Sequence, residues 1–417
     1  MGYHRRMDAQ NRRTSRTAAD GAARPVRRRP RDRRAQIAAV SVEAFGALGY
    51  HGVSMEEIAS RLDISSTALY RHYPSKYALF REEALRLSAL AEQMVLVPAA
   101  LTDAPAERRL AHVLDTMVRE SIANRSGAAM LRWQSRYLEP EDRQILVDQL
   151  VRIHGVLGGL LVATRPGLGG AERTVLAAAL LSVTGSISDH HVSIPVRALT
   201  ALLHAAVRAV AGSELPPLTG ETEVVRAEEI PRAFKHELLL ERAIALFHER
   251  GYPNVSVEDI ATAAGLPASS AVYRYYRGKG DILAAAFRRA ADRVSAVIGP
   301  TIAAADGPEQ ALSTLIDLYV AGSFAERELT FVYYAEIGNV PAEDRTVLRN
   351  IQRLNVEEWA KLAAGARPEL SPAEARVLVH AALALVVDLA QWLGPDNPIC
   401  GRDRVAHLMR VILSGCG

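Results

Sequence analysis

An internal repeat constrains the fold of this chain more than any other feature of its sequence. Segments near the start recur about two hundred residues later, and the offset returns to the same value far downstream. The matches at an offset of 202 include Phe45 with Phe247, Gly49-Tyr50 with Gly251-Tyr252, and Glu141-Asp142-Arg143 with Glu343-Asp344-Arg345. Matches at a constant offset over such a span predict that a whole domain is duplicated. At 417 residues the chain is long enough for two such domains.

One short motif breaks the constant offset. The first copy reads "ALYRHYPSK" at 68–76 and the second reads "AVYRYYRGK" at 271–279, so the offset around Tyr70 and Tyr273 is 203. The second copy therefore carries one extra residue ahead of this motif, next to Pro267. An extra residue in a tight turn predicts that the side chains following it are displaced relative to those of the first copy.

A proline- and acid-rich stretch at 213–231 separates the two copies and is typical of a linker. Its nineteen residues could span about 60 Å at roughly 3.3 Å each when fully extended. The linker is therefore long enough for the two copies to lie side by side.

The hydrophobic pattern within each copy is helical. Apolar residues recur at helical spacing from Arg34 to Leu48 and again from Leu238 to Phe247. Six further helices are predicted in the first copy: Lys76 to Val97, Ala106 to Asn124, Met130 to Leu138, Glu141 to Ala163, Ala171 to His190 and Pro195 to Ala211. The second copy follows the same pattern, and no segment alternates persuasively as a strand does. The sequence predicts an all-α protein.

The N-terminal segment differs sharply in charge from the rest. Residues 1 to 34 contain twelve arginines and three aspartates, a net charge of +9, and since the whole chain carries +3 the other 383 residues carry −6. Such a composition predicts a basic disordered arm over 1–33, and arms of this kind commonly lie on nucleic acid. We expect Arg27 to Arg34 to contact DNA. The alternatives are a solvated tail or a start site placed too early, with Met7 as the second choice.

Composition argues against several classes of function. The two cysteines, Cys400 and Cys416, have no partners at metal-ligand spacing, so neither a disulfide framework nor a metal site is expected. No apolar run is long enough to predict a membrane span or a secretory signal. We expect a soluble, cytoplasmic protein without a membrane partner or a cofactor. The triplet Asp189-His190-His191 is the one hint of an enzyme, and we interpret it instead as a helix end or an interface element.

The segment from Ser54 to Tyr73 predicts a helix-turn-helix. A helix from Met55 to Leu62 is followed by a tight turn at Asp63-Ile64 and by a second helix capped by Ser65. Small Ala59 allows the two helices to approach closely. The short polar set that remains on the outside suits a DNA groove, because hydroxyls and phenols reach phosphates or base edges and a lysine can act as a point charge on a phosphate.

Candidate DNA-binding residues follow from this geometry in each copy. In the first copy they are Arg31, Arg34, Ser54, Ser65, Ser66, Thr67, Tyr70, His72 and Lys76. In the second copy they are Ser256, Ser269, Ser270, Tyr273, Tyr275 and Lys279. Tyr73 and Tyr276 are expected to pack beneath the next helix instead. Whether the second copy touches DNA at all stays open, since its inserted residue precedes this set.

The block "GVSMEEIASRLDISSTALYRHYPSK", with its Arg-rich first helix and the helical body that follows, resembles the TetR family of transcriptional regulators. As a tandem, the chain resembles the actinobacterial tandem-TetR repressors of mammalian-cell-entry lipid-import operons, and "RWQSRYLEPEDR" at 132–143 adds to that resemblance. Asp63 departs from the family pattern, which has Gly at this turn. Asp tolerates a left-handed backbone, so little damage is expected.

The resemblance implies an organisation and a function. It implies helix-turn-helix domains over 34–80 and 232–283, and ligand-binding and dimerisation bodies over 81–212 and 284–417. The last two helices of each body, 171–211 and 373–415, would form an intramolecular pseudo-dimer on an operator in double-stranded DNA. A repressor released by a small hydrophobic effector, an acyl-CoA or a sterol-like lipid, is the implied function. A further homodimer of such chains stays open.

Candidate effector-binding residues are aromatic or polar side chains in the predicted bodies. They are Trp133, Gln134 and Tyr137 in the first copy and Tyr333, Tyr334 and Trp359 in the second. Packed aromatics with satisfied polar tips are the alternative interpretation. Met94 and Met117, with room left by Gly155 and Gly159, favour an apolar pocket in the first copy. A competing hypothesis for the chain is a ligand-binding or interaction scaffold whose second copy is structural.

Overall fold

The structure, a computed structural model, describes residues 30–218, 235–393 and 399–415. Over these ranges the chain forms 17 α-helices joined by turns and short 3-10 helices, and it contains no strand. The prediction of an all-α protein is confirmed.

The first copy contains nine α-helices. They are α1 (Pro30–Leu48), α2 (Met55–Arg61), α3 (Ser66–Tyr70), α4 (Lys76–Met94), α5 (Ala106–Ala123), α6 (Arg125–Gln134), α7 (Pro140–Thr164), α8 (Gly170–Gly185) and α9 (Val196–Gly212). Helix α1 begins four residues before the predicted start at Arg34, because proline, which lacks an N–H, is well tolerated in the first turn of a helix. Short 3-10 turns extend α6 and α8 to about the predicted ends.

The second copy repeats this order with one difference. Its α-helices are α10 (Lys235–Arg250), α11 (Val257–Ala263), α12 (Lys279–Ala304), α13 (Pro308–Ala325), α14 (Arg327–Glu336), α15 (Ala342–Ala366), α16 (Pro372–Trp392) and α17 (Arg402–Ser414). A 3-10 helix, Ser269–Arg274, stands where the first copy has α3. Most of the predicted linker lies outside the described residues, so the boundaries proposed around it stay predictions.

Each helix-turn-helix unit has a core of its own. Equivalent apolar side chains are fully buried in both: Phe45, Ile58 and Leu69 in the first unit, and Phe247, Ile260 and Val272 in the second. Burial of a large apolar side chain contributes about 1.5–3 kcal/mol, so each unit is held together locally by its own side chains.

The two helical bodies share a single core. Helix α8 packs on α16 and α9 packs on α17, and one continuous apolar cluster runs through both bodies. Every residue from Ala381 to Leu389 on α16 is buried. A helix that is apolar on all sides is typical of the centre of a large interior. The segments expected to pair, 171–211 and 373–415, thus pack against one another within one chain.

Two stretches, Lys76–Leu101 and Pro140–Thr164, are long and apolar enough to cross a membrane by length and composition alone. The first runs past the end of α4 at Met94, so it is not one continuous helix. Helices α4 and α7 pack against each other and pair their polar groups, since Ser88 donates to Gln149 at 2.5 Å and Arg81 donates to Asp142 at 2.7 Å. These contacts join the two helices within the helical bundle.

Candidate nucleic-acid interface and ligand cavities

The first helix-turn-helix is built by two serine caps and one unusual turn residue. Ser54 accepts from the backbone N–H of Glu57 at the start of α2, and Ser65 accepts from that of Ala68 at the start of α3. Between the helices Asp63 has φ of 53°, and the N–H of Ile64 bonds to the carbonyl of Ala59 at 3.0 Å. The expectation that Asp63 tolerates a left-handed backbone is confirmed.

The outer face of α3 is polar and open. Thr67 is exposed, Tyr70 is 46% exposed, and Ser66 and His72 are half-buried, while Leu69 points inward. Among the described residues the hydroxyls of Ser66, Thr67 and Tyr70 have no internal hydrogen-bond partner. This face can therefore donate to and accept from a groove without breaking any contact within the protein.

The inserted residue of the second unit lies between its turn and the first buried residue of the next helix. The bond from Leu266 N–H to the carbonyl of Ala261, 2.9 Å, reproduces the turn of the first unit at an offset of 202. Val272 is then buried where the first unit has Leu69, at an offset of 203. The extra residue thus lies between Leu266 and Val272, and the chain is back in register from Val272 onward.

This placement displaces two of the candidate side chains and leaves others in register. Ser269 and Ser270 fall within the altered stretch, and the 3-10 helix there lacks the side-chain cap that Ser65 gives the first unit. Tyr273 and Tyr275 follow the anchor Val272, and they are 57% and 45% exposed. The expected displacement therefore affects the serines and not the tyrosines. Ser256 is engaged locally, because its hydroxyl donates to the carboxylate of Asp259 at 2.6 Å in a capping box.

Both candidate lysines point inward, contrary to the expected role as free charges for phosphates. The Lys76 ammonium donates to the carbonyls of Tyr50 and Val53 at 2.9 and 3.0 Å and lies 4.4 Å from the Tyr50 ring. Lys279 makes the equivalent bonds to Tyr252 and Val255 at 2.8 and 2.9 Å. Burial lowers the pKa of both ammonium groups. Each lysine joins the start of a long helix to the loop that follows the first helix of its unit, which explains why both copies keep it.

Arg34 is also engaged within the protein. Its guanidinium donates to both carboxylate oxygens of Glu82, at 3.2 and 2.5 Å, and lies 4.9 Å from the ring of Tyr73. The side chain of Arg31 lies outside the described residues, as does the arm before Pro30. Tyr73 is buried, as expected, and Tyr276 is half-buried.

The second body encloses a cavity of about 370 Å³ between α12, α13, α14 and α15. Tyr333, Tyr334 and Trp359 line it, as expected, together with Tyr319. Burial raises the pKa of the Tyr319 and Tyr334 hydroxyls, so both stay protonated as hydrogen-bond donors. Only two charged side chains, Arg293 and Glu326, line the cavity in the part of the chain that the structure describes, and they pair with each other.

The first body has a smaller cavity, about 270 Å³, bounded by α4, α5, α6, α7 and α8. Met94 and Met117 line it, whereas Gly155 and Gly159 are exposed on the outer side of α7 and leave no room inside. Two of its lining residues, Asp388 and Trp392, come from α16 of the second copy. The first cavity is therefore composite, while the second is built by its own copy.

Trp133, Gln134 and Tyr137 do not line the first cavity, and the structure places each of them in contacts within the protein. Gln134 is buried and accepts from the N–H of Tyr50 at 2.8 Å. Trp133 stacks on Tyr334 of the second copy at 5.5 Å between ring centroids. Tyr137 donates to the carboxylate of Glu336, also in the second copy, at 2.9 Å. Trp133 and Tyr137 therefore join the two copies, whereas Gln134 joins the body of the first copy to its own helix-turn-helix unit.

Two stretches of the sequence, residues 37–82 and 239–286, match the family model described as bacterial regulatory proteins of the tetR family. Both helix-turn-helix units of the chain belong to the TetR family. Both matched stretches coincide with the helix-turn-helix units described above, α1 to the start of α4 and α10 to the start of α12.

One curated relative and two solved structures are similar to parts of this chain. The HTH-type transcriptional activator FasR of Mycolicibacterium smegmatis is 43% identical over 61 residues, which cover 14% of this chain and 28% of that protein, so the chain spans less than a third of its length. A TetR-family transcriptional regulator from Bordetella parapertussis 12822 is 19% identical over 43% of this chain and 93% of its own, with a TM-score of 0.38. A tetR-family regulatory protein from Rhodococcus RHA1 is 25% identical over 43% of this chain and 97% of its own, with a TM-score of 0.38.

The Asp189-His190-His191 triplet lies at the contact between the two TetR units. Asp189 is buried and pairs with Arg132 at 2.7 Å, and His190 stacks on His380 of the second copy at 4.8 Å. Both interpretations of the triplet describe its surroundings, because it ends the 3-10 turn that follows α8 and lies at the contact between the copies. Over the described ranges of the chain, no group of three or more His, Cys, Asp or Glu residues could hold a metal ion.

Sequence reasoning missed the polar contacts between the two TetR units. Arg132 donates to Asp388 of the second unit through two nitrogens, and Arg136 donates to the carbonyls of Phe247 and His248 at 3.0 and 2.8 Å. One signal was available in the sequence, because Asp388 directly follows the apolar run that ends at Val387. A carboxylate inside a buried helix requires a partner, which here comes from a residue 256 positions away.

Proposed function

We propose that this TetR-family chain is a DNA-binding transcriptional regulator that binds its operator as a covalent pseudo-dimer. The supporting observation is that one chain carries two helix-turn-helix units whose outer faces are both open, on bodies that share one core. Symmetric regulators place two such units about one helical turn of DNA apart. A single chain with two units meets that requirement without a second subunit, and its place of action would be the cytoplasm.

The proposed contacts differ between the two half-sites. In the first unit Ser66, Thr67 and Tyr70 offer free hydroxyls, with Ser54, Ser65 and His72 beside them. In the second unit Tyr273 and Tyr275 are in register, whereas Ser269 and Ser270 are displaced. Neither set contains the Arg-to-guanine or Asn-to-adenine pairs that read bases strongly, so DNA shape should carry part of the specificity. We infer an operator with two unequal halves.

The proposed effector is a small, uncharged and largely apolar molecule, sterol-like in preference to an acyl-CoA. The cavity of the second body offers tyrosine hydroxyls, and Arg293 at its wall is already paired with Glu326. A coenzyme A moiety would bring several phosphates, for which no free cation lines the described cavity. Ligand would release DNA if it binds better to the conformer whose two units do not fit the operator.

We propose repression as the direction of control, with DNA binding blocking transcription until the effector arrives. The relative FasR is named an activator, so the direction needs its own measurement. A reporter gene placed behind the operator should rise in expression when the chain is deleted. A fall on deletion would make the chain an activator while leaving operator binding intact.

The experiment that tests operator binding uses the intact chain. Sequences would be selected from a random DNA pool, and their affinity compared with that of a scrambled duplex at the same salt concentration. We expect at least a hundredfold preference, and Thr67→Ala with Tyr70→Ala should reduce it at least tenfold without loss of helical content. Removal of residues 1–29 should reduce the salt dependence of binding if the basic arm lies on phosphates. Equal affinity for selected and scrambled duplexes would reject the proposal.

A second candidate is a scaffold in which only the first unit contacts DNA. The uncapped 3-10 helix Ser269–Arg274 favours it, because such a helix is a weaker recognition element than the capped α3. Replacement of Tyr273 and Tyr275 by Ala separates the two candidates. An unchanged footprint would assign the second unit to scaffolding.

A further inference from the structure

Side chains of the first copy contact the second helix-turn-helix unit, and in the part of the chain that the structure describes the second copy has no equivalent contacts to the first unit. Arg136 and Tyr137 follow α6 of the first copy, and Glu336 ends α14 of the second. The Tyr137 hydroxyl donates to both oxygens of Glu336, at 2.9 and 3.1 Å, and Arg136 lies 3.4 Å from the same carboxylate. We refer to these three residues as the clasp.

The clasp reaches the second helix-turn-helix unit directly. Arg136 donates to two carbonyls near the C-terminal end of α10, where a cation complements the helix dipole. Glu336 also accepts from the N–H of Tyr252 at 3.2 Å, so it holds the loop between α10 and α11. Its carboxylate is only 1% exposed. A buried carboxylate needs these partners, so the clasp cannot open without leaving a charge unpaired.

The same side chains reach the first unit. The Tyr137 ring lies 4.7 Å from that of His51 and 6.1 Å from that of Tyr50, while its edge is against Gly251 of the second unit. A Cβ on Gly251 would meet the Tyr137 ring at 3.2 Å. Tyr137 therefore lies between the two units and contacts both.

The sequence repeat shows that no reciprocal clasp exists in the described chain. At an offset of 202, Gly338 and Asn339 stand where the first copy has Arg136 and Tyr137. Gly338 comes close to the end of α1, since its Cβ position is 3.7 Å from the carbonyl of Leu48, but it has no side chain to cap that helix. Asn339 donates to Glu336 within its own copy. These contacts between the two units therefore have no equivalent at the matching positions of the second copy.

We propose that Arg136 and Tyr137 are specificity-determining residues that set the half-site spacing this chain accepts. The inference rests on the proposed binding of one operator by both units. A fixed separation between two recognition elements admits one spacing of half-sites, because each added base pair moves the second half-site about 3.4 Å along the duplex and rotates it by about 35°.

The test replaces Arg136 and Tyr137 with the residue types found at the equivalent positions of the second copy, Gly338 and Asn339. Arg136→Gly with Tyr137→Asn would be compared with the wild type on the selected operator and on versions with one or two base pairs added or removed between the halves. We expect the wild type to lose at least tenfold in affinity at each altered spacing and the variant to lose less than threefold. Arg119→Gln, at an exposed pair with Asp115 on α5, is the matched control and should behave as the wild type.

A measurement without DNA separates failure of this inference from failure of the proposed function. Spin labels at the exposed, equivalent positions Ser60→Cys and Thr262→Cys, with Cys400 and Cys416 replaced by Ala, should give one narrow distance that broadens in the clasp variant. Tyr137→Phe, which removes only the hydroxyl, should broaden it less and covers the case in which the double variant fails to fold.

The outcomes are distinct. Operator binding with unchanged spacing preference in the variant, or an unchanged distance distribution, would overturn the role of the clasp and leave the proposed function standing. Absence of selective DNA binding by the wild type would overturn both.

Discussion

Arg132 of the first TetR unit forms a bidentate ion pair with Asp388 of the second, with Nε–Oδ1 and Nη2–Oδ2 distances of 3.0 and 2.6 Å. Both side chains are buried, and Arg132 also donates to Asp189 at 2.7 Å, while Ser182 donates to Asp388 at 2.6 Å. One guanidinium therefore forms ion pairs with two carboxylates at the contact between the copies. Burial raises the pKa of both carboxyl groups, and Arg132 opposes that change.

Loss of the arginine should be more harmful than loss of either acid. Arg132→Met leaves two buried carboxylates without a cation, and we expect it to lower the free energy of unfolding by about 3–5 kcal/mol. Asp388→Asn leaves Arg132 paired with Asp189 alone, so we expect it to lower the free energy of unfolding by about 1–2 kcal/mol. Urea denaturation followed by circular dichroism measures both. The exposed pair of Arg152 and Glu92 is the control, where Arg152→Gln should cost about 0–1 kcal/mol. Equal losses for Arg132→Met and Asp388→Asn would contradict the one-cation description.

The stacked histidines His190 and His380 should make the contact between copies sensitive to acid. Burial lowers the pKa of His190 to about 3 and that of His380 to about 4, with smaller effects of His380 on His190 and of Arg376 on His380. In the unfolded chain both histidines take up a proton near pH 6.5, whereas in the folded chain they stay neutral down to about pH 4. The free energy of unfolding is therefore highest above pH 6.5 and decreases as the pH falls toward 4. Each histidine should lower the free energy of unfolding by up to about 1.4 kcal/mol per pH unit between pH 6.5 and 4.

The matched variant for this prediction is His380→Phe, which keeps a ring on His190 and removes one titrating group. Comparison of unfolding free energies at pH 7 and pH 5 should show a smaller loss in the variant, because groups common to both proteins cancel. An identical pH dependence in the two proteins would show that His380 titrates normally.

Lys76 should act through structure and not through a phosphate. Lys76→Met removes two hydrogen bonds to buried carbonyls, so we expect the thermal midpoint to fall and DNA affinity to decrease with it. The slope of log affinity against log salt should stay unchanged. A slope reduced by about 0.9 with unaltered stability would mean that Lys76 does neutralise a phosphate.

A larger side chain at position 322 should prevent ligand binding in the cavity of the second body. Gly322 lines the cavity on α13, and a Cβ there would meet no atom within 4 Å, so Gly322→Leu can occupy the space without a clash. The neutral fluorophore 1-N-phenylnaphthylamine serves as the probe. We expect the variant to lose one class of binding sites and Gly155→Leu, at an exposed glycine of α7, to lose none. Equal titrations of the two variants would place the bound probe elsewhere.

The fold was predictable from the sequence because its signals are local or periodic. The repeat at an offset of 202 predicted two copies, and apolar spacing predicted helices whose ends agree within five residues, the largest difference being the start of α6 at Arg125 instead of Met130. Serine caps such as Ser54 and Ser65 marked the starts of α2 and α3, since a cap acts on the two or three residues that follow it. Tyr333, Tyr334 and Trp359, predicted to bind an effector, line the cavity of the second body, and their role there stays a prediction.

The contacts between copies were not predictable in the same way. Periodicity places a side chain on a face but does not name its partner, so Gln134 and Tyr137 were assigned to a pocket although they hold domains together. Lys76 was assigned to phosphate because a lysine at a helix start suits that role, and only the folded structure shows the carbonyls of Tyr50 and Val53 beneath it. Partners separated by some two hundred residues follow from the packing of helices that local patterns leave undetermined.

Hydroxyl-radical footprinting of the intact chain on its selected operator shows whether one chain reads both half-sites. We expect two protected patches about 10 base pairs apart on one duplex bound by one chain. Thr67→Ala with Tyr70→Ala should remove one patch, and Tyr273→Ala with Tyr275→Ala should remove the other. A single patch that is insensitive to the second pair of substitutions, or protection that requires two chains, would contradict the claim that one chain reads both halves of its operator.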